Sequence, residues 1–280
     1  MREFCTDDFD AAMRSRFCSW RFLRRDFAPA FRAMEAAPGG LTEGGSFPAI
    51  WGTSSKFVLL LTAPDGTRAV YKSFRAGSAV FRTRFRFAPT TKEAVNYALA
   101  ASLGIPTPEV LGAGETRRFG KLTGAFLVTR YVEGSADGRV FVPGGERAGD
   151  TAARDGFTRE QLRLLARLHD AGYRHKGFHP GNLLTGGNAG MAPALWIDVA
   201  DCRPFGWGRA LRQTARDLTE YFRCFDFDAE MRREFLRGYL AARRHAPPPE
   251  SALIAAVESE LRRRRFRQLP PPVKIPPAER

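Results

Sequence analysis

The side chains able to do chemistry crowd into the middle of the chain. Three of its four histidines, His169, His175 and His179, fall within eleven residues, and only His245 lies elsewhere. His175 and His179 at i, i+4 could ligate zinc from one face of a helix, but Gly177, Pro180 and Gly181 oppose a helix here, so the spacing argues against a metal-binding pair. The same segment, Tyr173-Arg174-His175-Lys176-Gly177-Phe178-His179-Pro180-Gly181-Asn182-Leu183-Leu184, ends on an amide and two leucines. Sixteen residues after Asn182, the apolar run Leu195-Trp196-Ile197 ends in Asp198. Asn182 and Asp198 offer hard oxygen atoms of the kind magnesium takes. Upstream, Lys72 closes the run Ala69-Val70-Tyr71, and Glu93 stands near the start of the next helical stretch. Taken singly, each has a plain structural explanation: a lysine in a strand is usually solvated, and Asn182 and Asp198 are common turn formers.

The elements that must position these residues can be read from periodicity. Phe9, Met13, Phe17 and Trp20 repeat at helical spacing, which predicts a basic amphipathic helix over residues 7–25. Lys56–Thr62 and Arg68–Phe74, with Pro64-Asp65-Gly66 between them, read as a β-hairpin. A helix is expected across Thr91–Leu103, stopped by Gly104 and Pro106, and two strands at about Glu109–Gly112 and Ala125–Val132 complete a small sheet. Residues 135–157 read as loop. Thr158 with Gln161 resembles a capping box opening a helix whose Leu162, Leu165 and Leu168 share one face. Leu183-Leu184 and Leu195-Trp196-Ile197 are brief strands; beyond Arg209 the chain reads as helical, broken at Pro247-Pro248-Pro249. The expected organisation is a helical N-terminal extension (1–45), a β-rich N-lobe (46–134), a helical C-lobe (135–268) and a proline-rich basic tail (269–280).

The segment from Tyr173 to Leu184 resembles the H-R-D-L-x-x-x-N catalytic loop of protein-kinase-like phosphotransferases, beginning at His175. Within that superfamily the chain is similar to the lipopolysaccharide-core kinases, the bacterial Kdo and heptose kinases. That resemblance is carried by Lys92-Glu93-Ala94, Leu103-Gly104-Ile105-Pro106-Thr107-Pro108, Leu168-His169-Asp170-Ala171-Gly172 and Arg216-Asp217-Leu218. It spans roughly residues 50–240 and implies an α+β, bilobal protein-kinase-like fold. It implies ATP as phosphate donor, with Lys72 on the nucleotide phosphates and Glu93 pairing with it. Asn182 and Asp198 would hold Mg2+, Gly52, Ser54 and Ser55 would form the loop over the phosphates, and Val128–Val132 would lie along the adenine. Asp217 falls where kinase folds place an acid that braces the catalytic loop. Lys72 from the small lobe and Asp198 from the large one are then expected to serve one triphosphate.

One departure from the pattern outweighs the matches. The aspartate that takes the proton of the acceptor hydroxyl would fall at position 177, and this chain has Gly177. Since Asn182 stands at the right distance, no shift of register restores the acid. Three explanations follow: a pseudokinase that binds nucleotide as a scaffold, an active enzyme using His179 or Asp201 as base, or a lapsed kinase. A soluble small-molecule kinase of the aminoglycoside or choline type is a further alternative, although it too generally needs the missing acid.

Composition bounds the partners. Lys plus Arg number 44 against 30 acids, a net charge of +14, and only six of the cations are lysine. Such an excess favours anionic partners, here a phosphorylated glycolipid or sugar acceptor and the anionic face of a membrane that residues 7–25 could skim. A nucleic-acid role has charge alone behind it, with no zinc finger or aromatic RNA-binding motif. Four scattered cysteines and no apolar stretch near ~18 residues lead to the expectation of a cytoplasmic protein, placed peripherally on the inner face of the cell membrane if the acceptor is lipid-linked.

Overall fold

In the computed structural model the described residues are 2–5, 18–53, 55–74, 87–185, 194–245, 247–264 and 266–270. They divide into two compact units. Among the described residues, one is built from those up to Val95 and from Pro108–Tyr131; the other is built from Asn96–Thr107 and from residues 132–270.

The first unit is organised by a seven-stranded sheet. In chain order its strands are β1 (Arg2–Cys5), β2 (Trp20–Leu23), β3 (Ala49–Gly52), β4 (Lys56–Thr62), β5 (Arg68–Phe74), β6 (Val110–Arg118) and β7 (Lys121–Arg130). They lie in the spatial order β1-β2-β6-β7-β5-β4-β3, and only β1 with β2 is parallel. The β4–β5 hairpin forms where the alternation places it, with Val58 opposite Lys72. Phe57, Val58, Leu59, Leu60 and Leu61 are all buried, because both faces of this strand are covered. One cover is helix α1 (Ala28–Ala36), whose Phe31 and Met34 join Leu59, Leu61, Tyr71 and Val128 in one core. Phe31 and Tyr71 each stack on Phe126, with ring centroids 5.6 and 5.7 Å away.

The helix expected over residues 7–25 is not what forms at its C-terminal end. Residues 6–17 lie outside the described residues, but Trp20–Leu23 is a strand that pairs antiparallel with β6. Trp20 and Phe22, two apart, satisfy a strand as readily as the longer spacing satisfies a helix. The open edge of β6 decides between them, burying Trp20, Phe22 and Leu23 and leaving Arg21 to bind Glu35 at 2.8 Å.

β6 and β7 also run further than periodicity allows. They meet at the two-residue turn Phe119-Gly120, with φ of 50° and 71° at these positions and Arg118 opposite Lys121. Glycines and arginines hide the strand between residues 113 and 124. The glycines are steric requirements: a Cβ on Gly114 would fall 2.5 Å from the Phe126 ring and 3.0 Å from the Trp20 carbonyl. The polar residues are paired inside: Glu115, 1% exposed, accepts from the Ala88 N–H at 2.7 Å, from Thr91 Oγ1 at 2.6 Å and from Arg117 Nε at 3.0 Å. Those two bonds to Ala88 and Thr91 fasten to the sheet the first turn of α2 (Pro89–Ser102), the helix that carries Glu93.

The second unit is helical: α3 (Thr151–Asp170), α4 (Ala210–Phe222), α5 (Ala229–Ala242) and α6 (Glu250–Arg263). α3 starts earlier than the capping-box reading places it. Asp150 is the N-cap and accepts from the Ala153 N–H at 3.0 Å. Thr158 is instead inside the helix, buried, with Oγ1 3.0 Å from the Tyr221 hydroxyl, and Gln161 Oε1 accepts from Trp196 Nε1 at 2.7 Å. The Leu162, Leu165 and Leu168 face is buried as its spacing requires. A turn at residues 223–228, closed by Asp228 capping the Met231 N–H at 2.8 Å, breaks the helical run where periodicity does not mark it. Four short strands form two ribbons: β8 (Tyr173–Arg174) with β11 (Arg203–Pro204), and β9 (Leu183–Leu184) with β10 (Leu195–Trp196). Among the described residues no helix is long and apolar enough to cross a membrane.

The glycine analysis gives a direct test. Gly114→Ala should lower stability by about 1–3 kcal/mol through overpacking against Phe126 and Trp20. Gly124→Ala, whose Cβ would sit an ordinary 3.5 Å from Thr116, should change it by less than about 1 kcal/mol. Chemical denaturation of both variants checks the pair; equal losses would contradict the strand crossing described.

Candidate functional site

In the first unit, β5 presents Lys72 from a position flanked by Val58 and Leu127. Its Nζ donates to both oxygens of Glu93, at 2.8 and 2.7 Å, with the lysine side chain 15% and the carboxylate 3% exposed. An ion pair this far out of water keeps its cost low only with full hydrogen bonding, and the bidentate contact supplies that. Gly52 ends β3, and Ser55 lies in the turn before β4, where the Thr53 N–H donates to Lys56 O at 2.8 Å and Thr53 Oγ1 is 3.2 Å from Ser55 Oγ. Both are exposed or half-exposed, on a turn continuous with the strand beside Lys72; Ser54 lies outside the described residues.

In the second unit the loop from Tyr173 is built around Asp217 of α4. This carboxylate is 0% exposed and accepts from Arg174 Nη2 at 2.9 Å, the His175 N–H at 2.7 Å and the Lys176 N–H at 3.2 Å. His169 Nε2 lies 3.4 Å from it. Burial alone would raise the Asp217 pKa, but the hydrogen bond from His169, the charge of Arg174 and the His175 amide outweigh it and hold the group below the ordinary carboxylate value. Burial holds His169 below its ordinary value against the pull of Asp217, so a neutral imidazole donates from Nε2. Its bare Nδ1 then accepts from the Tyr239 hydroxyl at 2.7 Å, and that oxygen accepts from Arg243 Nη1 at 2.9 Å. Arg243 is gripped by Asp170 at 2.6 Å. The chain Asp170–Arg243–Tyr239–His169–Asp217 thus runs from the end of α3 to the loop amides. Sequence reading marks His169, Asp170 and Asp217 only as parts of quoted motifs and gives Asp217 a bracing role; Tyr239 and Arg243 carry no sequence signal of their own.

His175 is fully buried between Phe178 and Trp196, at ring-centroid distances of 5.6 and 5.0 Å, and burial depresses its pKa. Neither ring nitrogen has a hydrogen-bond partner among the described residues. Lys176 follows with φ of 59°, its Nζ 3.2 Å from Asp201. Gly177 then donates to His175 O at 2.7 Å and accepts from the His179 N–H at 2.9 Å. A Cβ at this position would meet only Asn182 Nδ2, at 3.3 Å, and His175 Nδ1, at 3.9 Å. His179 is pushed down to about 3, first by burial and then by the charge of Arg267.

Asn182 and Asp198 come together at one end of the β9–β10 ribbon. Asn182 O accepts from the Ile197 N–H at 2.9 Å, which puts Asp198 one residue beyond that bond. Asn182 Nδ2 donates to Gly177 O at 3.0 Å, which leaves Oδ1 as the atom a cation could use. Asp198 sits in the left-handed region at φ 53°, ψ 46°, a conformation that aspartate tolerates and that recurs at functional positions. Its N–H donates to the Tyr97 hydroxyl at 3.3 Å, and Asn96 Nδ2 holds Val199 O at 2.8 Å and Cys202 O at 3.1 Å. Its negative charge reaches both His175 and His179, raising their pKa against the larger effect of burial. No cluster of three or more His, Cys, Asp or Glu able to hold a metal occurs among the described residues.

Two expectations follow. Asp217→Asn should cost about 3–5 kcal/mol, since it strips the charge from Arg174 and one acceptor from the loop amides. Stability should also fall with acid: His169 and His175 have folded pKa values below the 6.5 of the unfolded chain, so their contribution is complete above that pH. Below it the unfolded state takes up protons first, and the loss approaches about 1.4 kcal/mol per pH unit for each imidazole. Denaturation midpoints at pH 8, 6.5 and 5 check the sign; a flat profile would contradict neutral, buried imidazoles.

The described architecture is similar to that of WaaP in complex with acyl carrier protein, with a TM-score of 0.56 at 16% sequence identity, over 83% of this chain and 91% of that one. The Rio2 kinase from Chaetomium thermophilum, in its ADP/Mg2+-phosphoaspartate complex, aligns with a TM-score of 0.43 at 17% identity, over 77% of this chain and 65% of that one. No protein-family model matches the sequence, and no curated protein does. The likeness to WaaP is one of fold: with a β-rich N-terminal part and helices after it, this chain has an α+β, protein-kinase-like fold.

Proposed function

We propose that this chain binds Mg2+-ATP as a phosphotransferase-like protein whose transfer step is impaired, with a sugar hydroxyl of an anionic, phosphorylated glycolipid as the acceptor. The observation that carries the reading is the bidentate Lys72–Glu93 pair on β5 and α2 of a kinase-like fold. Glu93 fixes the lysine ammonium, and Glu115 fixes the turn from which Glu93 projects, so a positive charge stands ready for nucleotide phosphates at no cost of ordering it on binding. Gly52 and Ser55 contribute backbone and hydroxyl donors from the β3–β4 turn.

Asn182 Oδ1 and the Asp198 carboxylate suit Mg2+, which takes one or two protein oxygens and completes its shell with water and phosphate. When bound there, the ion would supply positive charge to offset the negative charge of the phosphates. Asp217 and its network hold the loop carrying Gly177 and Asn182 in one arrangement.

What the loop lacks is a proton acceptor. Gly177 offers only its backbone, and neither substitute is well suited: His179 is a weak base at about 3, and Asp201 is engaged by Lys176. A general base contributes ~10²- to 10⁴-fold, and that loss falls on transfer while leaving nucleotide binding intact. The same facts favour a second reading, a nucleotide-binding scaffold with no turnover.

Thermal shift tests the nucleotide claim. Saturating Mg2+-ATP should stabilise the wild type by ~2–3 kcal/mol at a hundredfold excess over Kd. Lys72→Ala and Asp198→Asn, each compared with its own ligand-free melt, should lose most of that gain. No stabilisation of the wild type at millimolar nucleotide would overturn the proposal. Gly177→Asp distinguishes the readings of the loop: the added Cβ presses only on the end of the Asn182 side chain, so the variant should fold and should hydrolyse or transfer from ATP at least ~100-fold faster than wild type. Equal, robust turnover in both would show that position 177 is dispensable.

A further inference from the structure

The most exposed large apolar side chain of the described residues is Trp207, which is 100% exposed. It stands between Gly206 and Gly208, the latter at φ 64°, in the tight turn closed by the Arg209 N–H on Gly206 O at 3.0 Å. Around it the exposed surface is continuous through Arg209, Ala210, Leu211 and Arg212, with Arg203 and Pro204 exposed just before. Arg203 and Arg209 form no ion pair among the described residues, and Arg212 only approaches Glu260, at 3.9 Å. A single exposed indole is ordinary by itself; here a Gly-Trp-Gly turn holds it fully out beside the exposed Arg203 and Arg209, so one face combines apolar reach with positive charge.

Its chemistry matches one environment well. Indole rings settle at the boundary between headgroups and acyl chains, where the ring is half desolvated, and arginines gain from the negative potential of an acidic leaflet. We infer that the Trp207–Arg212 segment, with Arg203, is a peripheral docking surface for an anionic lipid bilayer. An acidic protein would use the arginines but would gain less from a lone protruding indole, so the bilayer is the occupant that accounts for both. The rest of the segment anchors the patch. Phe205 packs on His169 at 5.3 Å, its N–H donates to Gly172 O at 2.8 Å, and Arg203 and Pro204 pair with Arg174 and Tyr173, immediately before His175. A surface seated on lipid here is therefore rooted in the strand that leads into the loop of Gly177 and Asn182. The amphipathic stripe over residues 7–25 is not needed for this contact, and its Trp20 is buried in the sheet.

The inference does not depend on nucleotide binding and is tested without nucleotide. The full chain is sedimented with vesicles of phosphatidylglycerol and phosphatidylcholine in equal parts, and with phosphatidylcholine alone. The wild type should bind the anionic vesicles, weaken with added salt, and shift its tryptophan emission to the blue. Trp207→Ala should lose the blue shift and weaken binding roughly tenfold, while Trp207→Phe should lose the blue shift but retain most of the binding. Arg203→Gln with Arg209→Gln should weaken binding roughly fivefold for each charge removed. All four substitutions fall at exposed positions, and melting curves equal to wild type show that the fold is kept. Absence of wild-type binding to the anionic vesicles, equal binding to neutral ones, wild-type affinity in the Trp207→Ala variant, or competition by an acidic protein without any emission shift would each overturn the inference.

Discussion

A carboxylate that water does not reach holds the central loop of this protein together. Asp217 has no solvent to satisfy its four lone-pair directions, so the chain must supply donors, and it supplies Arg174, two consecutive loop amides and His169. Buried charge of this kind is costly when any partner is lost, which makes the loop conformation a nearly all-or-none property. The polar chain behind it, through Tyr239 and Arg243 to Asp170, extends the same requirement to α3 and α5. The positions of Gly177 and Asn182 are thus consequences of a charge buried on α4, several elements away in sequence.

The first unit uses the same device. Glu115 is buried in the middle of β6 and is satisfied by the start of α2 and by Arg117, so the helix cannot slide along the sheet without stranding a carboxylate. Two residues beyond Thr91 comes Glu93, whose grip on Lys72 needs that register. Both units therefore position a chemically capable side chain by burying a second acid that does no chemistry itself. On the proposed reading, a loop pinned in this way keeps its binding geometry with glycine at position 177.

The arginine excess has an ordered share and an exposed share. Arg21, Arg117, Arg174 and Arg243 are held by acids within the fold, whereas Arg203 and Arg209 are set on the surface beside Trp207. Net charge alone cannot distinguish these uses, because it counts a paired guanidinium and an unpaired one alike. Their division is what turns a general preference for anions into a particular face.

Local pattern was enough to identify the β4–β5 hairpin, the span of α2 and the short strands around Asn182 and Asp198. These depend on alternation, helical spacing or turn residues that are contiguous in the chain, and strong local preferences survive folding. Pattern failed where a partner distant in sequence settles the outcome. Trp20–Leu23 is a strand because β6 offers an edge, the glycines and arginines of residues 112–118 are extended because their neighbours require small or paired groups, and α3 begins at Asp150 because its carboxylate caps there. The residue types and their order along the chain were set by the sequence alone. Which acids lost their water, and so which helix, strand and loop had to stay in register with them, was decided by tertiary packing, since burial is a property of the folded surroundings and not of any residue by itself.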